Sequence, residues 1–322
     1  MERTEKSLIS IIVPTRNRAH LLKSFLESLR IQDFGEDKVE LLAVDNASED
    51  DTRALIEDFA KDCRRMKVRY LYEPETGMMR ARNRGIREAE GRFLIFLDDD
   101  VMLHRDYILH ARKAFKDMPG TWAGGGKIIP VFERQKPPWL TKFFMPLLAE
   151  VNLGEKVREF PKNRFPFGIN MVFTHDVFER FGLFPVSGEK RTEDWISLPE
   201  KKYFERLRAE GIPVYYFPDL MVWHLLPDDY VDRDYIRRQA EIHYRMKLND
   251  AAGSRGWKKW RLLLREIPKW IGVSGVAVYY LLSTQWEKIK PLYRYRYWVT
   301  RLLWRCLTGR ADCRMPATED AE

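Results

Sequence analysis

"GRFLIFLDDDVMLH", residues 91–104, runs five consecutive apolar side chains, Phe93 to Leu97, directly into Asp98, Asp99 and Asp100. A short apolar run bounded by turn residues predicts a strand buried on both faces, the kind found in parallel sheets. Three adjacent carboxylates at the mouth of such a strand repel one another, and desolvating them is costly unless something compensates. The arrangement asks for a cation.

Outward from this stretch the alternation repeats. Upstream, strands are predicted over Ser7–Val13, Val39–Val44 and Val68–Tyr72, and helices over Arg18–Leu29, Asp51–Cys63 and Met78–Glu90. Arg92–Leu97 is the fourth strand. Strands separated by helices of this length indicate βαβ units, hence a parallel sheet covered on both faces. Ligands of such sheets sit outside the carboxyl ends of the strands. Three polar clusters fall there: "PTRNR" after the first strand, "DNASEDD" after the second and "DDD" after the fourth.

Downstream, "HRDYILHARKAF" predicts a helix and "TWAGGGKIIPVF" a glycine-interrupted strand. The "GGGK" of Gly124 to Lys127 lacks the first glycine of a phosphate loop and a Ser or Thr after Lys127, so it is assigned to the strand. Residues 132–167 are rich in Pro, Phe and Lys without a clean period, which suits an excursion over an active site. A strand near Ile169–Thr174, a helix over Val177–Phe181, the loop "PVSGEKR" and a helix within "TEDWISLPEKKYFERLRAEG", ended by Gly211, follow. Met78 and Met79 are assigned to packing. His224, in "MVWHLLPDD", follows a predicted strand and is either a metal or diphosphate ligand or a packed structural residue.

The formal charge of +8 over 322 residues is unevenly placed. Residues 255–314 hold a net +11, whereas residues 1–254 are neutral. The same basic segment holds six of the ten tryptophans, and Trp270–Trp286 ("WIGVSGVAVYYLLSTQW") is free of charge for seventeen residues. That length is at the lower edge for a membrane span. Its terminal tryptophans also fit a segment at the membrane interface, and a packed helix or oligomer contact is the third reading. A nucleic-acid-binding tail would use the same charges and aromatics, but no recognition motif accompanies them, so nucleic acid is not favoured as a partner. Cys63, Cys306 and Cys313 are odd in number and lack metal-site or disulfide-framework spacing, which points to a reducing compartment. The N-terminus lacks a cleavage pattern and is assigned to the first core strand.

Asp98 and Asp100 form an Asp-x-Asp pair. A magnesium or manganese ion held by one or two carboxylates normally completes its shell with waters and substrate phosphates, so the pair predicts a divalent cation and a diphosphate. Haloacid-dehalogenase-type phosphatases also carry Asp-x-Asp after a strand, but with a Thr two residues later, where this chain has Met102, and on their first strand. Metal-dependent nucleotidyl or phosphoryl transfer shares the same logic and stands as the alternative enzyme reading.

"IIVPTRNRAHLL", "LLAVDNASEDDT", "GMMRARNRGIREAEGRFLIFLDDDV" and "TEDWISL" together resemble the successive signatures of the family 2 glycosyltransferases with a GT-A fold, over about residues 7–225. The resemblance implies an α/β fold, with a mostly parallel central sheet flanked by helices and a helical C-terminal extension. It implies a glycosyltransferase domain over residues 1–254, with a nucleotide-binding half (1–101) and an acceptor-binding half (102–254). A basic, Trp-rich tail (255–322) follows, able to attach to an anionic membrane through residues 255–314. The activity implied is inverting transfer of a sugar from a nucleotide-diphosphate donor, a UDP-sugar being favoured, to a hydroxyl of a saccharide or lipid-linked acceptor, in polysaccharide or glycolipid biosynthesis. The cysteine usage and the basic, aromatic tail together predict a cytoplasmic location, peripheral at the membrane face.

The same resemblance assigns residues. Pro14, Thr15 and Asn17 would wall the nucleotide pocket, Asp45 would accept hydrogen bonds from the base, and Arg82 and Asn83 would line the same pocket. Asp98 would sit near the ribose and beside the metal, with Asp100 as metal ligand and His224 as a third. Asp194 would be the general base, with Glu193 and Trp195 next to it on the acceptor side; ordinary helix capping is the alternative for Glu193 and Asp194. Apart from the resemblance, the loop "PVSGEKR", which carries Gly188, Lys190 and Arg191 just before Asp194, suits a lid that orders over the diphosphate.

Overall fold

The computed structural model describes residues 9–35, 38–186, 199–250 and 257–308. They form two compact units, the first from residues 9–35, 38–131, 149–186 and 199–225, the second from 132–148, 226–250 and 257–308.

The first unit is built on strands β1 (Ile9–Thr15), β2 (Val39–Asp45), β3 (Lys67–Tyr72) and β4 (Phe93–Leu97), which alternate with helices α1 (Ala19–Arg30), α2 (Thr52–Asp62) and α3 (Met78–Glu88). All residues of β1, β2 and β4 are buried, as continuous apolar runs require when a sheet is covered on both faces. These strands pair in parallel in the order β3-β2-β1-β4, which brings their carboxyl ends to one edge. The first strand extends past its predicted end through Pro14 and Thr15. Pro14 is tolerated because the pairing with β4 ends at Ile12, so its missing N–H leaves no gap in that ladder.

Beyond β4 the pairing turns antiparallel. A short strand β5 (Val101–Leu103), helix α4 (Tyr107–Asp117), β6 (Ala123–Phe132), β7 (Arg158–Glu159), β8 (Asn170–Thr174), helices α5 (Asp176–Phe181) and α6 (Pro199–Ala209), and β9 (Val214–Leu226) complete it. The sheet order continues β4-β8-β6-β9-β5, with β7 on β9. Two expectations are corrected here. His224 does not follow its strand but lies inside the thirteen-residue β9, paired with Val101 of β5. Met78 is exposed at the start of α3, whereas Met79 is buried as expected. The first is a consequence of β5, which is too short to carry a period and was not anticipated.

The second unit contains helices α7 (Arg233–Asp250), α8 (Trp257–Leu264), α9 (Glu266–Leu282) and α10 (Ile289–Leu307). Leu140, Phe144, Ile236, Leu292, Val299 and Leu303 share its core. The basic tail therefore packs with α7 and with part of the 132–167 excursion. Among the described residues no helix is long and apolar enough to cross a membrane.

Candidate active site

The parallel register sets the site. Thr15 at the end of β1 stands beside Asp45 at the end of β2, and the turn after β4 opens at the same edge. Thr15 Oγ1 donates to Asp99 Oδ2 at 2.7 Å, and Arg18 Nη1 donates to Asp99 Oδ1 at 3.0 Å and to Asp100 Oδ2 at 3.1 Å. The carboxylates of "DDD" are thus met by a guanidinium from the first polar cluster. Arg82, on α3, meets the third: its Nη2 donates to Asp98 Oδ1 at 2.9 Å and its Nη1 to Glu200 Oε1 at 2.6 Å. Gly168 is needed beside it, since a Cβ there would lie 2.3 Å from Arg82 Nη2.

The β5–β9 pairing brings His224 to the same turn. Leu225 N donates to Asp100 O at 2.8 Å, and His224 Nε2 lies 3.8 Å from Asp100 Oδ1. That buried oxygen has no hydrogen-bond partner. Burial acts to raise the pKa of each carboxyl. For Asp98 it prevails over Arg82, and for Asp99 over Arg18, pushing Asp99 up to about 7. For Asp100, His224 and Arg18 outweigh burial and hold the carboxyl below its ordinary range. Four carboxyl groups, Glu200 included, thus share two guanidinium groups.

The neighbouring loops are tied by their own polar groups. Asn17 has a left-handed backbone (φ 52°); its N–H donates to Ser48 Oγ at 3.0 Å and its Oδ1 accepts from Glu49 N at 2.7 Å. Asp45 accepts from Ser48 N and from the Tyr70 hydroxyl, each at 2.8 Å. Asp50, in the same cluster, caps two helix starts by accepting from Ala19 N and Thr52 N. Asn83 spends its amide on the backbone of Phe184, donating to its carbonyl at 2.8 Å and accepting from its N–H at 3.0 Å.

Pro14, Thr15, Asn17, Asp45, Arg82, Asp98, Asp100 and His224 all belong to the first unit, at or beside the carboxyl edge of the parallel strands. Glu193, Asp194 and Trp195, with Gly188, Lys190 and Arg191, lie outside the described residues. Arg18, Tyr70 and Glu200 were given no role from the sequence. The need to compensate "DDD" was a signal for Arg18; nothing local marked Glu200, which is 118 residues from Arg82. Asp99, given no role either, accepts from both Thr15 and Arg18.

Among the described residues no three His, Cys, Asp or Glu side chains are already gathered around a cation position. The donor chemistry nonetheless fits a hard divalent ion: a buried carboxylate oxygen that makes no hydrogen bond and faces an imidazole, with two further carboxyl groups in the same turn.

The family model for glycosyl transferase family 2 matches residues 10–182, more than half of the chain. The chain belongs to glycosyl transferase family 2. Among curated members, it is 37% identical over 92 residues to the GalNAc(5)-diNAcBac-PP-undecaprenol beta-1,3-glucosyltransferase of Campylobacter jejuni, covering 29% of each chain. It is 32% identical over 102 residues to the poly(ribitol-phosphate) beta-N-acetylglucosaminyltransferase TarS of Staphylococcus aureus, covering 32% of this chain and 18% of that one. The matched stretch spans less than a third of the length of either relative. Among solved structures, the fold is that of the mannosyltransferase PcManGT of Pyrobaculum calidifontis, in complex with GDP-Man and Mn2+. That match has a TM-score of 0.61 and 18% identity and covers 94% of this chain and 88% of that one. The S. aureus TarS 1–349 complex with UDP-GlcNAc superposes with a TM-score of 0.53 at 18% identity, covering 97% and 94%. The GT-A arrangement of a sheet flanked by helices, with a helical C-terminal extension, is thereby shared.

Proposed function

We propose that this family 2 member transfers a sugar from a nucleoside-diphosphate donor to an acceptor hydroxyl with inversion at the anomeric carbon. The observation that carries this reading is the buried Asp100 Oδ1, which makes no hydrogen bond and faces His224 at 3.8 Å, at the carboxyl edge of a parallel sheet, where such folds bind ligands. Relatives solved with GDP-Man and Mn2+ or with UDP-GlcNAc support the donor class.

A divalent cation, magnesium or manganese, would be held by Asp100, with Asp98 and His224 as the further donors. When bound, it supplies positive charge against which the departing diphosphate is stabilised. Pro14, Thr15, Asn17 and Asp45 wall the nucleotide side, and Arg82 holds Asp98 toward the ribose, with Asn83 bracing the adjoining loop. Asp194, with Glu193 and Trp195 beside it on the acceptor side, takes the proton of the acceptor hydroxyl as general base. The acceptor oxygen forms its bond to the anomeric carbon from the face opposite the diphosphate, and the electron pair of the breaking bond leaves with the nucleoside diphosphate. The acceptor is a saccharide or a lipid-linked glycan, and the basic tail holds the enzyme at the cytoplasmic face of an anionic membrane.

The test is product analysis with a panel of labelled nucleotide sugars and manganese. Release of nucleoside diphosphate with label appearing in a glycan of inverted configuration is expected. Asp194→Asn should lower turnover by at least about a hundredfold, within the range for loss of a general base, while nucleotide binding persists. Asp100→Asn should abolish metal-dependent nucleotide binding. Transfer of a nucleotidyl or phosphoryl group instead of the sugar, or normal sugar transfer by Asp100→Asn, would overturn the proposal.

A further inference from the structure

Helix α9 turns toward solvent a side that carries no charged residue. Its inward side is set by Glu266, Val273 and Ala277, which are buried. Its outward stripe is Ile267, Ile271, Val278 and Leu282, spaced by four, seven and four residues so that they share one helical face. These four are 56%, 69%, 54% and 79% exposed, and Trp286, just past the helix end, is 61% exposed. The rest of the outward arc is Pro268, small residues, Tyr279 and Leu281. Solvent-facing helix sides are ordinarily polar, so a contiguous apolar one marks an interaction surface.

The stripe is held firmly. Trp270 Nε1 donates to Thr300 Oγ1 at 2.9 Å, and the Tyr293 hydroxyl donates to Ser274 Oγ at 3.2 Å, pinning α9 against α10. Exposed Arg261 and Arg265 precede the helix, and exposed Lys290 and Arg294 follow it.

We propose that this stripe is where the protein docks on an anionic lipid bilayer, with α9 lying in the plane of the headgroups. The proposal rests on the membrane-attaching reading of residues 255–314 and names the surface responsible. Apolar side chains entering the acyl boundary, cations at both ends and aromatics at the rim are the chemistry that such an interface selects. Seventeen helical residues cover about 25 Å, short of the hydrocarbon core, and the inward side packs on its own unit, so α9 lies on the bilayer. A second copy of the chain is disfavoured as the occupant. Pairing two such helices in either direction sets basic flank against basic flank.

The experiment is co-sedimentation of the full chain with vesicles of phosphatidylcholine containing about one-third phosphatidylglycerol, against pure phosphatidylcholine. Binding to the anionic vesicles, weakened by added salt, is expected. Neutralising Arg265 or Lys290 to Gln should lower partition by about fivefold each. Ile271→Ser with Leu282→Ser, which changes no charge, should lower it at least about tenfold, with circular dichroism unchanged. Failure of the wild-type chain to bind anionic vesicles would overturn both the docking surface and the membrane reading beneath it. Full binding by the double Ser variant would overturn the α9 assignment alone. A wild-type dimer made monomeric by the double variant, with vesicle binding intact, would give the face to a second copy. Sugar transfer to a soluble acceptor is read separately and is untouched by any of these results.

Discussion

Arg82 is 2% exposed and joins Asp98 to Glu200, carboxylates from opposite sides of a 102-residue stretch of chain. Burying a guanidinium is tolerable only because both partners lie within hydrogen-bond range. Arg82→Met should therefore destabilise the protein by about 3–5 kcal/mol, since two carboxylates would remain buried without their cation. Arg82→Lys should recover little, because an ammonium cannot offer two separated donors in a fixed fork. Urea unfolding of the three proteins checks this. At this scale the sequence named Arg82 through its neighbours in "RARNRG" but could not name Glu200. Asn83 shows the same limit: its place in the motif was legible, yet its amide is committed to Phe184, 101 residues away. Local pattern identifies a side chain's type and position; its partners come from distant segments.

At the scale of elements, the parallel strands were readable because each is a continuous apolar run followed by a polar cluster, and burial on both faces demands that pattern. β5 was not readable. Its three residues are too few for periodicity, and they become a strand only because β9 arrives to pair with them. That pairing delivers His224 to Asp100, so the third candidate ligand owes its position to an element with no sequence signal of its own. Helix α9 was legible as an apolar segment, but which side faces inward was not. Its anchor is Glu266, buried between Lys269 and Arg296, with Arg296 Nη1 at 3.1 Å from Glu266 Oε2 and the Tyr244 hydroxyl at 3.4 Å from Oε1. Glu266→Gln should cost the second unit about 3 kcal/mol, the lower end for a buried pair, because Lys269 is partly hydrated. Tryptophan fluorescence during denaturation reads this directly, as six of the ten tryptophans lie in residues 255–314.

For the whole molecule, the charge is segregated, with a neutral first 254 residues and a basic segment after them. The two proposed functions, donor binding and membrane docking, can therefore be tested apart. Nucleoside diphosphate with manganese should stabilise the native chain by about 2.7 kcal/mol at a hundred times its dissociation constant. Anionic vesicles should not substitute for it. A thermal-shift comparison of nucleotide alone, manganese alone and both together checks this, the expected outcome being a larger shift for the pair than for the sum of the two.

The sequence by itself determined the parallel half of the sheet, the edge where the strand-end polar clusters gather and the family, because apolar periodicity and strand-end polar clusters are local properties of the chain. The tertiary structure alone decided how the three carboxylates are shared. Arg18 reaches Asp99 and Asp100, Arg82 takes Asp98, and one oxygen of Asp100 is left facing His224. Those contacts join residues 16 to 124 positions apart, and their geometry exists only once the strands have paired and brought the segments together.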